Sequence, residues 1–188
     1  MASVLVTPPA IEPISLAEAK AHLRITHADE DQLISTLIIS ARRIVEARAG
    51  LVLIEQDWTC YLDDWPDDGM ISLPLSPVMT VEDLLVLGED DVPAVIDPAH
   101  YYVDLASRPA RLLLRGSRVW ARPGRIANGI AIAVTAGFGG AASTVPEPLR
   151  QAILMLVAHW HEHRGNAEPP ALPLTLDALI KTFREVRL

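Results

Sequence analysis

The spacing of apolar residues predicts two α-helices in the first fifty positions. Ser15 and Glu18 have the spacing of a capping box, in which a hydroxyl and a carboxylate each bond to a free backbone amide at a helix start. This predicts a helix from Ser15 to about Arg24. The acids at 29–31 suit the positive end of a second helix, which Gly50 is expected to end. The residues that recur at helical spacing in this second segment are Leu33, Leu37, Ile38, Ala41, Ile44, Val45 and Arg48.

Residues 53–136 have a different pattern, typical of short β-strands. Trp58, Cys60 and Leu62 alternate with more polar positions, as expected for a half-buried strand. No helical run of ten residues interrupts this stretch, so a small antiparallel sheet is favoured over alternating strands and helices. Prolines and glycines separate the further predicted strands, which are 71–73, 78–87, 101–103, 111–115 and 130–134.

A third helix and an amphipathic tail are predicted after the β region. Thr144 and Glu147 form a second candidate capping box, and the apolar stripe that follows continues to about Gly165. A proline-rich linker precedes a last amphipathic segment that starts near Thr175. The predicted fold is α+β: a helical bundle with an inserted small antiparallel β-rich subdomain and a C-terminal amphipathic tail. The expected boundaries are 1–52 for the N-terminal helices, 53–140 for the β insertion, 141–165 for the third helix and 166–188 for linker and tail.

The apolar edge of the tail requires a partner surface. A helix of about three turns is marginally stable alone in water, so its apolar side chains must be buried somewhere. Two outcomes remain open: the segment folds back on its own helices, or it docks into a groove on another protein. The side chains concerned are Leu176, Leu179, Ile180 and Phe183.

Composition excludes several classes of protein. Half of the 188 residues are hydrophobic and 21% are charged, which excludes a wholly disordered chain. The one cysteine, Cys60, excludes an internal disulfide framework. No apolar run approaches the roughly 18 residues of a membrane span, and no secretory signal is visible. We therefore expect a soluble protein from a reducing compartment, with no membrane partner.

The net charge of −8 conceals a strong gradient along the chain. Residues 55–104 contain thirteen acids and no lysine or arginine, and the next bases are arginines at 108, 111, 115, 118, 122 and 125. Such a gradient favours charged partners or the packing of one subunit's head against the side of another. Two solvated faces that neutralise each other within one molecule are an equally open explanation.

The strongest candidate for catalysis is the histidine cluster at 159–163. His159, Glu162 and His163 match the H-x-x-E-H pattern, in which two histidines hold zinc and the glutamate acts as a base. A third protein ligand would have to come from the few acids that follow, and a helix C-terminus favours imidazoles in any case because of its dipole. A zinc-dependent hydrolase is therefore an alternative, while the preferred reading is a non-enzymatic protein without catalytic residues, metal or cofactor.

The arginines at 108–125 are the candidate binding residues of a second alternative. They could hold phosphates, with Trp120 stacking on a base, in a duplex-DNA-binding module. The acidic chain as a whole is not typical of a sequence-reading protein, which favours a protein contact instead. The residues predicted to contact a neighbouring subunit or partner are Arg108, Arg111, Arg115 and Arg118.

An ordered set of short motifs resembles the head–tail connector (adaptor) proteins of tailed phages and gene transfer agents. The resemblance starts with the Ile14–Lys20 segment, continues through Gln56-Asp57-Trp58, and covers nearly the whole chain in the right order. The remaining motifs are at 22–25, 29–31, 41–46, 65–66, 71–74, 77–78, 101–103, 134, 137–139, 145–146 and 152–154.

The resemblance implies a structural role. Family members form a ring, commonly twelvefold, between the portal and the stopper or tail-completion protein of a particle assembled in the bacterial cytoplasm. Their C-terminal segment grips the portal, and DNA passes through the lumen without specific binding. By this resemblance the expected portal-binding residues are Leu176, Leu179, Ile180, Phe183 and Arg184. Acids that would let phosphates slide along the channel wall are Asp63, Asp64, Asp67 and Asp68.

Overall fold

The computed structural model describes residues 1–116, 119–164 and 173–183. The chain divides into two compact units, which we call the β unit and the helical unit. The β unit consists of Met1–Pro9 and Glu55–Phe138, and the helical unit consists of Ala10–Ile54 and the chain from Gly139 onward. Helices and antiparallel sheets are both present, so the predicted α+β class is confirmed.

The helical unit contains four α-helices, α1 Leu16–Leu23, α2 Asp31–Ala49, α3 Glu147–Glu162 and α4 Leu174–Lys181, among the described residues. The capping box at Ser15 is formed: the Ser15 hydroxyl accepts a bond from the Glu18 amide, and the Glu18 carboxylate accepts one from the Ser15 amide. Gly50 ends α2 in the left-handed conformation, with a φ of 70°, as predicted. None of the described helices is long and apolar enough to cross a membrane.

The four helices pack through one apolar core. Helix α2 packs against α3, α1 contacts both of them, and α4 lies against α3 and α2. Ile38, Ala41 and Val45 of the predicted α2 pattern are buried, whereas Leu33 and Ile44 are each 38% exposed at the margin of the buried face. The buried apolar side chains of these helices are Ala19, Ile34, Ile38, Ala41, Val45, Ala49, Leu149, Ala152, Ile153, Leu156, Val157, Leu176 and Ile180.

A buried ion-pair network anchors the segment before α1 to α2. The Arg42 side chain is only 5% exposed, and its Nε donates to Glu12 Oε2 at 2.7 Å. Its Nη1 donates to Glu46 Oε2, also at 2.7 Å, and the other Glu46 oxygen accepts from the Leu53 amide. Burial opposes the charge on Arg42, but the Glu12 hydrogen bond and the Glu46 carboxylate raise the pKa of the guanidinium.

The described residues of the β unit form two antiparallel sheets. The first has five strands in the order β1-β2-β8-β4-β5, and the second has three in the order β3-β7-β6. Their buried side chains belong to one apolar cluster, which includes Cys60, Ile132, Leu84, Leu112 and Tyr101. The strands are β1 Ala2–Thr7, β2 Gln56–Leu62, β3 Met70–Ser72, β4 Val78–Leu87, β5 Pro93–Val95, β6 Tyr101–Asp104, β7 Arg111–Leu114 and β8 Ile130–Ala136.

The structure differs from the sequence predictions in three places. Strands β1 and β5 were not predicted, and β1 joins the first nine residues to the β unit because it pairs with β2, with Ser3 opposite Cys60. The unit boundaries therefore lie after Pro9, Ile54 and Phe138. The second capping box was wrong: α3 begins two residues later than predicted, at an N-cap of Pro146, and the Thr144 hydroxyl donates to the Ala141 carbonyl instead.

Candidate interaction surfaces

The four acids predicted to line a DNA channel lie on the surface of the β unit. Asp63, Asp64, Asp67 and Asp68 follow β2 directly and are all exposed. Three of them accept hydrogen bonds from nearby backbone amides: Asp63 from Asn128, Asp64 from Trp65 and Asp68 from Met70. These bonds order the turn and leave each carboxylate with free lone pairs, so the group presents negative charge to solvent.

Asp63 and Asp64 also line an open cleft of mixed charge. The cleft has a volume of about 730 Å³, and its other charged residues are Glu89, Arg122 and Arg125. Its wall requires glycine at 124, because a Cβ there would lie 2.1 Å from the Glu89 amide nitrogen. The cleft therefore contains both carboxylates and guanidinium groups, and the structure brings Asp63 and Asp64 together with arginines that lie about sixty residues away in the sequence.

A tryptophan pair holds the loop after β7 against the turn after β2. The Trp65 and Trp120 rings are stacked, with centroids 4.3 Å apart and planes within 5° of parallel. Each indole N–H also donates to a backbone carbonyl of the opposite segment, Trp65 to Ala121 and Trp120 to Gly69. One face of Trp120 is thus covered by Trp65, so that face is not available to stack on a nucleic-acid base.

The arginines predicted to contact a partner have different surroundings. Arg111 is held inside the β unit, where its Nη2 donates to Asp104 Oδ2 at 2.6 Å and to the Ser107 hydroxyl at 2.7 Å. Arg115 donates to the Tyr101 carbonyl, and its guanidinium lies 5.8 Å from the centroid of the exposed Tyr102 ring. Arg108 is exposed. The prediction for Arg118 lies outside the described residues.

The Asp104 carboxylate is the centre of this arginine network. Its oxygens accept from the Ser107 hydroxyl and amide, from the Ala106 amide and from Arg111. The Ser107 hydroxyl, followed by the Arg111 guanidinium, holds the pKa of Asp104 well below its ordinary value. Arg111 therefore stabilises the β6–β7 hairpin, and its guanidinium is already bonded within this chain.

The histidine cluster does not have the geometry of a zinc site. His163 Nδ1 is hydrogen-bonded to the His159 backbone carbonyl at 2.7 Å, and the two rings are tilted by 42°. No three His, Cys, Asp or Glu side chains are grouped to hold a metal anywhere in the described residues. The described chain around 159–163 therefore gives the zinc hydrolase alternative no support.

His161 has a partner that the sequence did not indicate. Its Nε2 lies 2.7 Å from Glu30 Oε2 at the start of α2, and Arg164 donates to the other Glu30 oxygen at 2.6 Å. The His161 ring, followed by Arg164, lowers the pKa of the Glu30 carboxyl. The end of α3 is thus bonded to the start of α2, and only the tertiary fold brings these residues together.

The tail helix α4 lies against its own helical unit. Leu176 and Ile180 are 0% and 2% exposed, whereas Leu179 and Phe183 are half-buried. Arg48 of α2 donates to Asp177 of α4 at 2.7 Å on the surface. The expected portal anchors thus fall into two pairs, one already covered within this chain and one partly available. Arg184 lies outside the described residues.

Two apolar surfaces of the β unit were missed by sequence reasoning. Val4 and Val6 of β1 are more than half exposed. Near the other edge of the same sheet, Val95, Leu114, Val119 and Trp120 contribute to a groove of about 460 Å³. The run of β-formers from Ser3 to Thr7, ended by two prolines, is a signal that could have identified β1.

Comparisons with known proteins agree on one group of relatives. Residues 13–87 match the family described as phage gp6-like head–tail connector proteins. A chain from the neck of an empty gene transfer agent particle, computed with C6 symmetry, matches with 28% identity and a TM-score of 0.85, covering 100% of this chain and 97% of that one. No curated protein sequence matches.

Two further structures give the same result. A chain from the virion of a native gene transfer agent particle has 27% identity and a TM-score of 0.85, with 100% of this chain and 97% of that one covered. A chain from the neck of a native particle, computed with C12 symmetry, has 28% identity and a TM-score of 0.79, with 98% and 97% covered. The resemblance of this chain to the phage and gene transfer agent head–tail connector family is confirmed.

Proposed function

We propose that this protein is a structural head–tail connector, which forms a ring at the head–tail junction of a phage-like particle and leaves a channel open for DNA. The observation that carries the proposal is the likeness over the full length of both chains to a subunit of a gene transfer agent neck. Related necks with C6 and C12 symmetry support a homo-oligomeric ring. A structural role also agrees with the surroundings of the candidate catalytic residue His163, whose Nδ1 is hydrogen-bonded to the His159 carbonyl.

The proposed partners are a portal protein above the ring and a stopper or tail-completion protein below it. We assign portal binding to the C-terminal tail, with Leu179 and Phe183 as the first contacts because they are only half-buried in this chain. Leu176 and Ile180 would join them only if α4 left its place against α2 and α3, since both are covered there. Arg184 completes the proposed set.

Mixing the chain with purified portal protein tests this assignment. The expected result is a complex of defined stoichiometry by size and mass measurement, which is lost when residues 171–188 are deleted. Because that deletion also uncovers the surface under Leu176, point variants are needed. Leu179→Ala and Phe183→Ala should each weaken capture by about 0.75–1.5 kcal/mol, or roughly 4- to 12-fold, because about half of each side chain is already buried in the free chain and the rest becomes buried at the portal.

Lys181→Ala is the matched control, because Lys181 is exposed on the same helix. Full capture by the chain without residues 171–188 would refute the role of the tail. Absence of any complex with portal, even for the full chain, would count against the connector function itself.

We further propose that the exposed acids after β2 form part of the channel wall. Their carboxylates would repel DNA phosphates and prevent them from adhering. Replacement of Asp63, Asp64, Asp67 and Asp68 by Asn should slow DNA passage and raise the affinity of the assembled ring for duplex DNA. Asp90→Asn and Glu82→Gln, at exposed positions on β4 and the turn after it, provide matched charge controls. Normal packaging and ejection by the fourfold variant would refute this assignment.

The arginines give the proposal a second contact surface. Arg108 is exposed and is the first candidate for a neighbouring subunit or partner, whereas Arg111 is committed to Asp104. Arg108→Ala should therefore weaken ring assembly without changing the unfolding of the isolated chain, and Arg111→Ala should change unfolding first. A steep, salt-dependent, tight binding of duplex DNA by the isolated protein would favour a DNA-binding module instead.

A further inference from the structure

The free edge of β1 lacks the charges and prolines that usually block strand pairing, although its register against β2 shifts once, between Leu5 and Thr7. Strand β1 forms one edge of the five-stranded sheet and pairs only with β2 among the described strands. Its six residues contain no charge and no proline, and Val4 and Val6 are 52% and 61% exposed. Natural proteins normally protect such an edge with lysine, proline or a covering segment, because its backbone amides and carbonyls can pair with another strand.

The opposite edge of the same sheet has a complementary surface. Strand β5, which has three residues and starts at Pro93, forms that edge; its Val95 is 64% exposed and the preceding Val92 is 59% exposed. Because Pro93 has no N–H, side-chain contacts in the neighbouring groove contribute most to a contact here. The apolar groove of about 460 Å³ runs alongside β5, with Val95, Val119 and Leu114 in its lining. A strand placed along β5 would cover these side chains with apolar residues of its own.

We propose that β1 of one copy lies along β5 and this groove in the next copy of the ring. The inference rests on the proposed connector function, because it names the contact that joins neighbouring subunits. A ring with more than two subunits requires two different surfaces on each copy, which meet head to tail. The two free edges of one sheet are such a pair, since they lie on opposite sides and both expose valines.

The topology also fixes the direction of the contact. Each strand of the five-stranded sheet is antiparallel to its neighbours, so β1 and β5 have the same sense, apart from the twist of about 20–25° that each successive strand adds. A step of 360/12, about 30°, around a twelvefold ring nearly preserves that direction. The new pairing is therefore parallel, and direct pairing of β1 with β1 of another copy, which needs a twofold axis, is excluded within the ring.

Paired cysteines test the contact in assembled particles. A chain carrying both Val4→Cys and Val95→Cys is treated with a short bifunctional thiol reagent and analysed after denaturation. We expect a ladder of covalent oligomers that extends toward the ring copy number, while each single variant stays monomeric. Cys60 is buried and does not interfere.

Each other outcome has a defined meaning. Dimers from the Val4→Cys single variant would overturn the inference in favour of β1–β1 pairing. Particles that contain the ring but give only monomers from the double variant would overturn the inference and leave the connector function standing. Particles that lack the chain altogether would refute the connector function, and this contact with it.

A second variant measures the same contact without cross-linking. Val4→Lys places a charge on the free edge and should reduce incorporation into particles at least tenfold, whereas Val4→Thr keeps a β-branched side chain and should incorporate normally. Unchanged circular dichroism of both isolated variants separates lost contact from lost fold. Equal incorporation of Val4→Lys and wild type would overturn the inference.

Discussion

The rings of Trp65 and Trp120 lie 4.3 Å apart and almost parallel, although 55 positions separate them in the sequence. This stack joins the acidic turn after β2 to the loop that follows β7. The same two segments contribute Asp63, Asp64 and Arg122 to the mixed-charge cleft. The geometry of the proposed DNA-facing acids therefore depends on an aromatic contact that itself carries no charge.

Removal of one ring should loosen this connection. We expect Trp120→Ala to lower the free energy of unfolding by about 0.5–1.5 kcal/mol from the ring pair alone, in addition to the lost burial. Chemical unfolding followed by circular dichroism measures the change, and a Trp65/Trp120 double-mutant cycle isolates the pair. Ile126→Ala is the control, since that side chain is 99% exposed in the same loop. Equal stability of Trp120→Ala and Ile126→Ala would contradict the prediction.

The buried Arg42 network should be highly sensitive to the loss of its cation. Arg42→Leu leaves Glu12 and Glu46 close together without a counter-charge, and breaking a buried pair in this way costs about 3–5 kcal/mol. Denaturant unfolding of the full chain measures this loss. Arg43→Leu changes the adjacent exposed arginine and should be nearly neutral. A neutral Arg42→Leu would show that the two glutamates are solvated once the arginine is absent.

The Asp104 carboxyl should remain ionised at pH values below the pKa of an ordinary aspartate. Because its pKa is lowered in the folded state, its contribution to stability is complete above the ordinary value of 3.8 and is lost as the pH falls through the lowered value. Ser107→Ala removes the principal cause and should move the titration of the Asp104 carboxyl carbon, followed by NMR, toward higher pH. Leu105→Ala should leave it unchanged, and a shift of equal size in both variants would contradict the assignment to Ser107.

Leu176 should stabilise the isolated chain even when no portal is present. Its side chain is fully buried on α4, so Leu176→Ala should lower the free energy of unfolding by about 2–5 kcal/mol. Thermal and chemical unfolding of the free protein measure this effect, with Lys181→Ala as the exposed control on the same helix. An unaffected Leu176→Ala would mean that α4 is detached in solution.

Local signals in the sequence predicted most elements but not their partners. The capping box at Ser15 and the stop at Gly50 depend on neighbouring residues, so their outcome could be predicted without the tertiary fold. Strand β1 has a local signal that was overlooked, but its partner β2 could not be predicted, because the paired residues lie fifty or more positions apart. Thr144 does not cap α3, because the helix begins after Pro146. Thr144 and Pro146 are both typical of helix starts, and the tertiary fold decides which of them precedes the first turn.

At the candidate interaction surfaces too, local features could be predicted from the sequence, whereas the tertiary partners of the residues could not. Exposure of Asp63, Asp64, Asp67 and Asp68 agrees with their charged, turn-rich context, but the arginines that share their cleft could not be predicted from spacing. Arg111 looked like a free surface cation in the sequence. Its bonds to Asp104 and Ser107 form because the β6–β7 pairing places Asp104 directly opposite Arg111.

The chain passes between the β unit and the helical unit three times, after Pro9, Ile54 and Phe138. On the ribosome, β1 is therefore made first and has no neighbour until β2 emerges about fifty residues later. Helices α1 and α2 likewise wait for α3, whose last residue is Glu162. The β unit cannot finish folding before Phe138 has been made, and the helical unit cannot finish before α3 follows. A product that ends before β8 therefore lacks both β8 and α3, and a product that ends between them lacks α3. Faulty, partly translated subunits would thereby be excluded from particle assembly.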